Sequence, residues 1–268
     1  MTNSFVMWSG DSSVEQVRRF LRQVLVAGFA LFVFASSNCC SAQEVNRPKY
    51  ASDVVRLYRD HGYLQKHDAP DYWALSPYYA SQQNDASCSV AVVAMIVNAM
   101  RAKDELRADD QLVTHNGLLE KVNNDDWQKQ VEEGGKGVTL GELAGIVEDS
   151  LRVYRVKEIS VEIVSFPQAK EDRLQQLRQL LMENERSDRD LIVVNVLQGM
   201  LTGDPEGMVG HFMPIAAYDA EGHRALMLDP DRRWYEPYWV SDEKLLAAMA
   251  TIDDASQKPR GLLRVKAK

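Results

Sequence analysis

The strongest pattern in the chain is an apolar run from Cys88 to about Met100, in the order C-S-V-A-V-V-A-M-I-V-N-A-M. Apolar residues fall on every side of a helix drawn through this run. A helix that is hydrophobic all round is normally buried in a protein core. The run therefore predicts a helix at the centre of the domain, with Cys88 at its start.

Other helices follow from shorter patterns. Thr139 and Glu142 form the two ends of a capping box, and apolar positions from Leu140 to Val147 recur at helical spacing behind it. We also expect an amphipathic helix over residues 50–67, irregular structure over 70–82, loops with one or two short helices over 103–136, and helices near 170–185 and 242–250.

The second half of the chain has strand patterns. Residues 190–197 (D-L-I-V-V-N-V-L) read as a buried strand, because they form a short, nearly continuous apolar run rich in β-branched residues. We predict further strands over 211–218, 223–228 and 261–266. Helices early and an antiparallel sheet late indicate an α+β fold.

The N-terminal 42 residues resemble a targeting segment. Arg18, Arg19 and Arg22 precede an uncharged apolar run over residues 24–35, and small residues follow up to Ala42. The run is too short for a comfortable membrane span of roughly 20 residues, but it fits the apolar region of a secretory signal. We predict that residues 1–42 are a signal peptide or an N-terminal membrane anchor. Residues 43–268 would then form the catalytic domain, exported to the periplasm or attached to the inner membrane of a bacterium.

Charge and cysteine content narrow the classes of function. The chain has a net charge of −8 and no basic run, which argues against binding nucleic acid. Two of its three cysteines, Cys39 and Cys40, lie in the N-terminal segment; a lipid on Cys39 is an alternative form of anchor. The exported chain would keep Cys88 alone, so an internal disulfide framework is excluded. The remaining thiol is either reactive or a small buried apolar group.

A histidine and an aspartate are placed to serve this thiol. The positive end of a helix dipole favours thiolate over thiol at Cys88, and an adjacent imidazole would complete an activated nucleophile. Residues 219–222 predict a hairpin turn, which places His211 opposite residues 230–232 and so beside Asp229. An aspartate there would fix the imidazole's orientation. Simpler readings stay open: His211 as a strand-end histidine and Asp229 as a turn residue.

Gln82 precedes Cys88 by six residues. Its side-chain amide and the backbone N–H of Cys88 would form an oxyanion hole. The four other histidines lack partners at the spacing of metal ligands, so we predict no metal site.

These residues resemble the phytochelatin synthase family, in its short bacterial form within the papain-like cysteine protease clan. The segments that carry the resemblance occur in the family's order: residues 71–76, 82–99, 137–143, 210–218, 228–240 and 256–261. The resemblance implies a papain-like fold, with Cys88, His211 and Asp229 as a catalytic triad and Gln82 as the oxyanion residue. It also implies cleavage of the Cys–Gly bond of glutathione through a γ-glutamylcysteinyl thioester on Cys88. The acyl group would pass to water or to a second glutathione.

The same resemblance implies three substrate-binding residues. Arg260 and Asp253 match positions that hold the α-carboxylate and α-amino group of the γ-glutamyl moiety, and Asn195 matches a position near the acyl group. Ordinary ion pairing and a strand-end cap are the alternatives. No cofactor is required; heavy-metal ions such as cadmium or zinc would act only as activators, through metal–glutathione thiolates.

The chain departs from the family at three places. Ser87 and Ser89 flank the nucleophile where an aromatic residue and a glycine or arginine are commoner, and about three extra residues lie within 203–207. We expect that loop to border the site and to affect acceptor preference. The sequence shows no cysteine-rich segment like the plant-type C-terminal region, which favours hydrolysis over transpeptidation.

Two other classes of function remain open. One is a general papain-like cysteine peptidase, which would cleave peptides without a γ-glutamyl group. The other is a non-catalytic periplasmic thiol- or metal-binding protein in which Cys88 is a ligand. The sequence does not indicate an oligomeric state.

Overall fold

A computed structural model describes residues 48–102, 104–105 and 107–267. The predicted signal peptide or anchor over residues 1–42 lies outside these ranges. Within them, no helix combines the length and the apolar character needed to cross a membrane.

The helices of the described chain are, in order, α1 (Gly62–Lys66), α2 (Pro70–Leu75), α3 (Cys88–Arg101), α4 (His115–Val122), α5 (Asp125–Val131), α6 (Leu140–Val153), α7 (Glu171–Asn184), α8 (Gln198–Thr202) and α9 (Asp242–Met249). The strands are β1 (Val55–Arg56), β2 (Ile159–Ser165), β3 (Asp190–Leu197), β4 (Gly210–Asp219), β5 (Arg224–Met227), β6 (Tyr238–Ser241), β7 (Ile252–Asp253), β8 (Lys258–Pro259) and β9 (Gly261–Ala267).

Within residues 48–267, one antiparallel sheet has the strand order β1-β6-β5-β4-β3-β9-β2, and β7 and β8 form a separate short hairpin. Strand β3 lies between β4 and β9. This arrangement places Asn195 opposite Phe212 on β4 and opposite Gly261 on β9. The carboxyl end of β3 therefore meets the starts of β4 and β9.

The apolar core lies on both faces of the sheet. Leu191 and Val193 of β3 pack with helices α3 to α6 on one face, whereas Ile192, Val194 and Val196 pack with α7 and α9 on the other. Because both faces of β3 are covered, its sequence is continuously apolar rather than alternating. Every residue of α3 is buried, which confirms the predicted central helix.

The α+β class is confirmed. The helix that begins at Cys88 is one of the helices that precede β2, and the sheet is formed mainly by the second half of the chain. The capping box at Thr139 and Glu142 is present, with both of its backbone hydrogen bonds formed. Helices α7 and α9 cover the second face of the sheet, a placement that the pattern alone did not predict.

The predicted helix over residues 50–67 is wrong. Val55 and Arg56 instead form the edge strand β1, paired with Trp239 and Tyr238 of β6, and a helix is present only from Gly62 to Lys66. Long-range pairing with β6 overrides the helical spacing of the local apolar residues. Residues 70–82, expected to be irregular, contain α2 and a turn of 3-10 helix at Ser76–Tyr78.

Candidate active site

Cys88 is the first residue of α3, and its side chain is buried, with 7% exposed. The loop before it is fixed by Ser87. The Ser87 hydroxyl accepts hydrogen bonds from the backbone N–H groups of Gln83 and Asn84, and it donates to the carbonyl of Asn84, all at 3.0 Å. The unexpected serine before the nucleophile therefore has a structural role.

Two further contacts attach this loop to its surroundings. The Asn84 side chain donates to the carbonyl of Val131 at 3.0 Å, and the backbone N–H of Gln82 donates to the carbonyl of Pro230 at 2.8 Å. The second contact joins the loop to the turn that follows Asp229. The start of α3 is thus fixed relative to the carboxylate.

His211 and Asp229 meet as the hairpin register predicts. Asp219 pairs with Arg224 and Tyr218 with Ala225, and a bulge follows between Ala217 and Ile215. Nε2 of His211 lies 2.8 Å from Oδ1 of Asp229. The side chains are 4% and 0% exposed, respectively, so water is nearly excluded from the pair.

The Asp229 carboxylate accepts four hydrogen bonds. Oδ1 receives His211 and the backbone N–H of Asp231 at 2.9 Å, while Oδ2 receives the Gln198 amide at 2.9 Å and the Tyr238 hydroxyl at 3.0 Å. This network fixes the carboxylate's orientation and supplies the hydrogen bonds that a buried carboxylate needs. Sequence reasoning missed Gln198 and Tyr238. Gln198 is the first residue of α8, directly after β3, and Tyr238 is the first residue of β6. Neither position carries a motif that points to Asp229.

His211 and Asp229 each shift the pKa of the other. Burial is the largest single influence and opposes a charge on His211. The Asp229 carboxylate and a hydrogen bond with Cys88 together outweigh burial, so the pKa of His211 lies well above its usual value. Burial likewise opposes a charge on Asp229, yet His211, Gln198 and the backbone of Asp231 lower the pKa of Asp229. Because Nε2 faces Asp229, Nδ1 is the ring nitrogen left for the thiol. The arrangement favours an imidazolium between the Asp229 carboxylate and the Cys88 side chain.

The three predicted substrate-binding residues also meet. Nη1 of Arg260 donates to Oδ1 of Asn195 at 3.0 Å and lies 3.1 Å from Oδ1 of Asp253. Asp253 also accepts from the backbone N–H and the hydroxyl of Ser256, at 3.0 and 2.7 Å. Arg260 is 5% exposed, and its Nε has no hydrogen-bond partner within the described ranges. A buried guanidinium with a free donor is suited to a carboxylate ligand.

Two cavities of about 280 Å³ each lie at the site, one lined by Cys88 and the other by His211. The first, which we call the Arg260 cavity, is lined by Cys88 and the three residues just described, together with Lys136 and Gly137. The second, the His211 cavity, is lined by His211, Gln82 and Gln198, among others. Asp85, Val209 and Gly210 line both, so the two cavities meet beside the Cys88–His211 pair.

Gln82 lies on the His211 side of this junction. Its Oε1 is buried and has no hydrogen-bond partner in the part of the chain that the structure describes. The assigned O and N of an amide depend on its hydrogen-bond network. The position is compatible with an oxyanion role, in which the amide N–H faces the reacting carbonyl.

The loop at residues 203–207 borders the site, as expected. Asp204, Glu206 and Gly207 line the His211 cavity, and Oδ2 of Asp204 accepts from the Tyr235 hydroxyl at 2.8 Å. Among residues 48–102, 104–105 and 107–267, no group of three or more histidine, cysteine, aspartate or glutamate side chains is arranged to hold a metal ion.

Comparison with known proteins identifies a family with a similar sequence. The sequence profile of the phytochelatin synthase family matches residues 59–262, a range that contains every residue of the site. Three relatives with similar sequences are named glutathione gamma-glutamylcysteinyltransferase. One from Arabidopsis thaliana is 25% identical over 75% of this chain, one from Lotus japonicus is 29% identical over 72%, and one from Schizosaccharomyces pombe is 25% identical over 74%.

The match covers a minority of each relative. The aligned part of this chain spans 41% of the Arabidopsis protein, 36% of the Lotus protein and 44% of the yeast protein. The matched part nonetheless holds the whole site, and the family profile covers most of this chain. On these grounds, the chain belongs to the phytochelatin synthase family.

Proposed function

We propose that this protein cleaves the Cys–Gly bond of glutathione through a γ-glutamylcysteinyl thioester on Cys88. Glycine is released, and the acyl group passes to water or to the amino group of a second glutathione. The single observation that carries the proposal is the hydrogen-bonded His211–Asp229 pair next to a cysteine at a buried helix start. The names of the relatives support the choice of glutathione as the acyl donor.

In the acylation step, the Cys88 thiolate attacks the carbonyl carbon of the cysteinyl–glycine bond. The backbone N–H of Cys88 is at the first position of α3 and therefore has no partner inside the helix. That N–H and the Gln82 amide would stabilise the oxyanion. The C–N bond then breaks, and His211 gives its proton to the departing glycine amine.

In the deacylation step, water or an amine attacks the thioester carbon. His211 takes a proton from the attacking group, the C–S bond breaks, and the Cys88 thiolate returns. Asp229 does not exchange a proton; it holds the ring so that Nδ1 faces the thiol, and it stabilises the imidazolium.

The Arg260 cavity would hold the acyl part of the substrate. The free Nε of Arg260 suits the α-carboxylate of the γ-glutamyl group, and Asp253 suits its α-ammonium. Asn195, on β3, accepts a hydrogen bond from Arg260 beside them. Arg260 and Asp253 are paired with each other here, so a zwitterionic ligand would be bound by both charges at once.

In this proposal, metal ions reach the site bound to the substrate. Cadmium or zinc would act as activators by forming thiolates of glutathione, and no resident metal is required. We also propose that the protein is exported. The mass of the chain purified from a cell envelope fraction would test this. A soluble cytoplasmic form that retains residues 1–42 would exclude export.

The main experiment uses full-length protein incubated with glutathione, with and without cadmium, and identifies the products by mass spectrometry. We expect glycine and γ-glutamylcysteine, with an acyl group trapped on the peptide that contains Cys88. Products with two or more γ-glutamylcysteine units would show transpeptidation. Equal cleavage of peptides that lack a γ-glutamyl group would instead support a general cysteine peptidase.

Cys88→Ala should abolish cleavage, a loss of at least about 10⁴-fold, because the nucleophile is removed. The fold should persist, since a small buried side chain is replaced by another. Ser89→Ala is the matched control: Ser89 is equally buried at the same helix start, and it accepts a hydrogen bond from Trp127. That variant should keep its activity. Glutathione cleavage by purified Cys88→Ala would exclude the proposal.

A further inference from the structure

A tyrosine joins the turn that carries Asp229 to the segment that precedes the nucleophile. The hydroxyl of Tyr79 donates a hydrogen bond to the backbone carbonyl of Asp229 at 2.5 Å. Tyr79 lies three residues before Gln82, and Gln82 lies six residues before Cys88. One short stretch of chain therefore presents the tyrosine, the proposed oxyanion amide and the nucleophile.

A second hydrogen bond joins the same two segments. The backbone N–H of Gln82 donates to the carbonyl of Pro230 at 2.8 Å. The two acceptors are consecutive carbonyls, so the turn after β5 is held at two neighbouring points. Tyr79 and Asp229 are 150 residues apart along the chain. These bonds therefore set the position of the aspartate's turn relative to the nucleophile's segment.

The ring of Tyr79 is itself held in place. The guanidinium carbon of Arg232, on the same turn as Asp229, lies 4.5 Å from the centroid of the ring, within the range of a cation–π interaction. The ring also packs against the apolar core that contains α3. Contacts of the ring, and not the hydrogen bond alone, therefore direct the hydroxyl toward the Asp229 carbonyl.

The hydroxyl of Tyr79 also keeps its proton. Burial and then the charge of Asp229 raise the pKa of Tyr79 well above its usual value, although the Arg232 guanidinium lowers it in part. A protonated hydroxyl can donate to a backbone carbonyl, which is only an acceptor. The bond from Tyr79 to Asp229 should therefore persist over the pH range in which the reaction runs.

Asp229 is thus held from two directions. Its carboxylate accepts four hydrogen bonds, which fix the orientation of the side chain. Tyr79 instead fixes the main chain from which that side chain projects. Because His211 lies 2.8 Å from the carboxylate, a shift of the Asp229 main chain would move the imidazole relative to Cys88. A displacement of about 1 Å at a reacting group can cost about 100-fold in rate.

We propose that Tyr79 is a positioning residue for the reaction: its hydroxyl holds the Asp229 main chain at a fixed distance from the Gln82–Cys88 segment. The triad and the oxyanion amide then stay aligned with each other. This inference rests on the proposed function and adds a residue to it. Among the described residues, Tyr79 lines neither cavity, so it acts through Asp229 and not on the substrate.

Tyr79→Phe tests the hydroxyl alone, because it keeps the ring and the contact with Arg232. We expect kcat of the full-length protein for glutathione to fall by about tenfold. KM should stay within about twofold of wild type, since the residues of the Arg260 cavity are unchanged. Steady-state kinetics would measure both constants.

Tyr154→Phe is the matched control. The Tyr154 hydroxyl donates to the carbonyl of Gly117 at 3.3 Å, and Nζ of Lys121 lies 4.2 Å from the centroid of its ring. Like Tyr79, Tyr154 is partly buried and lines neither cavity. Both variants lose a hydrogen bond to a carbonyl, so both should unfold at lower urea concentration than wild type. Only Tyr79→Phe should lose kcat.

A double-mutant cycle separates positioning from a structural role. If Tyr79 acts through Asp229, the tenfold effect of Tyr79→Phe on kcat should shrink to less than about twofold in the Asp229→Asn background. A tyrosine that only stabilises the fold would keep its full effect there. Product formation by both Asp229→Asn proteins would be measured by mass spectrometry.

Alkylation of Cys88 reports on the site without glutathione. Iodoacetamide labelling at pH 6, followed on the peptide that contains Cys88, should be about threefold slower in Tyr79→Phe than in wild type, because a displaced imidazolium favours the thiolate less. At pH 9 the two rates should be equal. Tyr154→Phe should label like wild type at both pH values.

Three results would each overturn the inference and leave the proposed function intact: an unchanged kcat in Tyr79→Phe, a tenfold loss that persists in the Asp229→Asn background, or equal labelling of Cys88 at pH 6. If wild type cleaves no glutathione, the proposed function fails, and the labelling rates still test the role of Tyr79. The two failures are therefore distinguishable.

Discussion

The Arg260 cavity and the His211 cavity have the same volume, about 280 Å³, and share part of their walls, yet their charged groups are arranged differently. In the first, charged groups are already paired: Arg260 contacts Asn195 and Asp253, and Ser256 supports Asp253. In the second, the carboxylate of Asp231 has no such partner within the described ranges. The charged groups of the first cavity are therefore held in a fixed network, whereas those of the second are less constrained.

The difference between the cavities lies in how their charged groups are arranged. In the Arg260 cavity the buried guanidinium has a fixed carboxylate partner, an arrangement that can orient a carboxylate ligand with geometric specificity. In the His211 cavity the lining carboxylates lie at partly exposed positions around the His211 imidazole. The Cys88–His211 pair lies where the two cavities meet and forms the boundary between them, and Asp229 is hydrogen-bonded to His211.

The largest effect should come from breaking that boundary. Asp229→Asn removes the charge that raises the pKa of His211, and it disturbs a carboxylate with four hydrogen-bond donors. We expect kcat/KM for glutathione to fall by about 10³-fold. The alkaline limb of the pH profile should shift to lower pH, because the imidazolium is lost earlier. Steady-state kinetics over a pH series would measure both.

Asp242→Asn is the matched control for this variant. Asp242 is also fully buried, and it accepts hydrogen bonds from Arg178 and from the Tyr218 hydroxyl, away from both cavities. Its loss should lower stability and leave the pH profile of the folded enzyme in place. An unshifted alkaline limb in Asp229→Asn would remove Asp229 from the proposed mechanism.

An intermediate effect should follow from removing the main cation of the Arg260 cavity. Arg260→Gln deletes the guanidinium, so kcat/KM for glutathione should fall by about 10- to 100-fold, mainly through KM. A glutathione analogue without the α-carboxylate tests the role directly. Wild type should discriminate against this analogue, and Arg260→Gln should not.

Arg264→Gln supplies the comparison for Arg260→Gln. Arg264 lies on β9 and pairs with Asp190 instead of lining the cavity. That variant should retain the wild-type discrimination even if its stability falls. If Arg260→Gln still rejects the decarboxylated analogue as strongly as wild type does, Arg260 does not bind the α-carboxylate.

The smallest effect on activity should come from a residue outside both cavities. Glu185 accepts hydrogen bonds from the backbone N–H of Tyr218 at 2.7 Å and from the Tyr63 hydroxyl at 3.2 Å. Burial, with the nearby charge of Asp219, raises the pKa of Glu185 to about 7. Because the folded-state pKa exceeds the unfolded one, this carboxyl stabilises the fold fully below about pH 4.5 and progressively less as pH rises through 7.

We therefore expect wild type to lose about 2 kcal/mol of unfolding free energy from this group between pH 5 and 8. Glu185→Gln should remove this decrease in unfolding free energy between pH 5 and 8 and leave glutathione cleavage unchanged. Urea unfolding of both proteins at the two pH values would measure it. A stability difference between wild type and variant that is the same at pH 5 and pH 8 would contradict the assignment.

Prediction from sequence succeeded where the signal was local or repeated. The all-apolar run at Cys88 predicts a buried helix from that residue onward, and helix α3 begins there. The His211–Asp229 contact follows from a single turn and the two-residue period of strands, so the register reaches the site without any long-range information. The capping box at Thr139 is likewise decided within four residues.

Prediction failed where distant strands compete with local spacing. Residues 50–67 have helical periodicity, but Val55 and Arg56 complete the edge of the sheet beside β6. Gln198 and Tyr238 carry no motif of their own; they support Asp229 only because the start of α8 and the start of β6 both lie beside its carboxylate. No single-sequence pattern identifies such contacts.

By itself, the sequence determined the α+β class, the buried helix that starts at Cys88, the hairpin that joins His211 to Asp229, and the family resemblance. The first three depend on periodicity, turn chemistry or residue spacing within about 20 positions, and the resemblance depends on motifs spread along the chain. The tertiary structure alone decided that Arg260 pairs with both Asn195 and Asp253, and that four carboxylates gather beside His211. Those features depend on which chain segments meet in space, because electrostatic and hydrogen-bond energies are set by distance and burial and not by position along the chain.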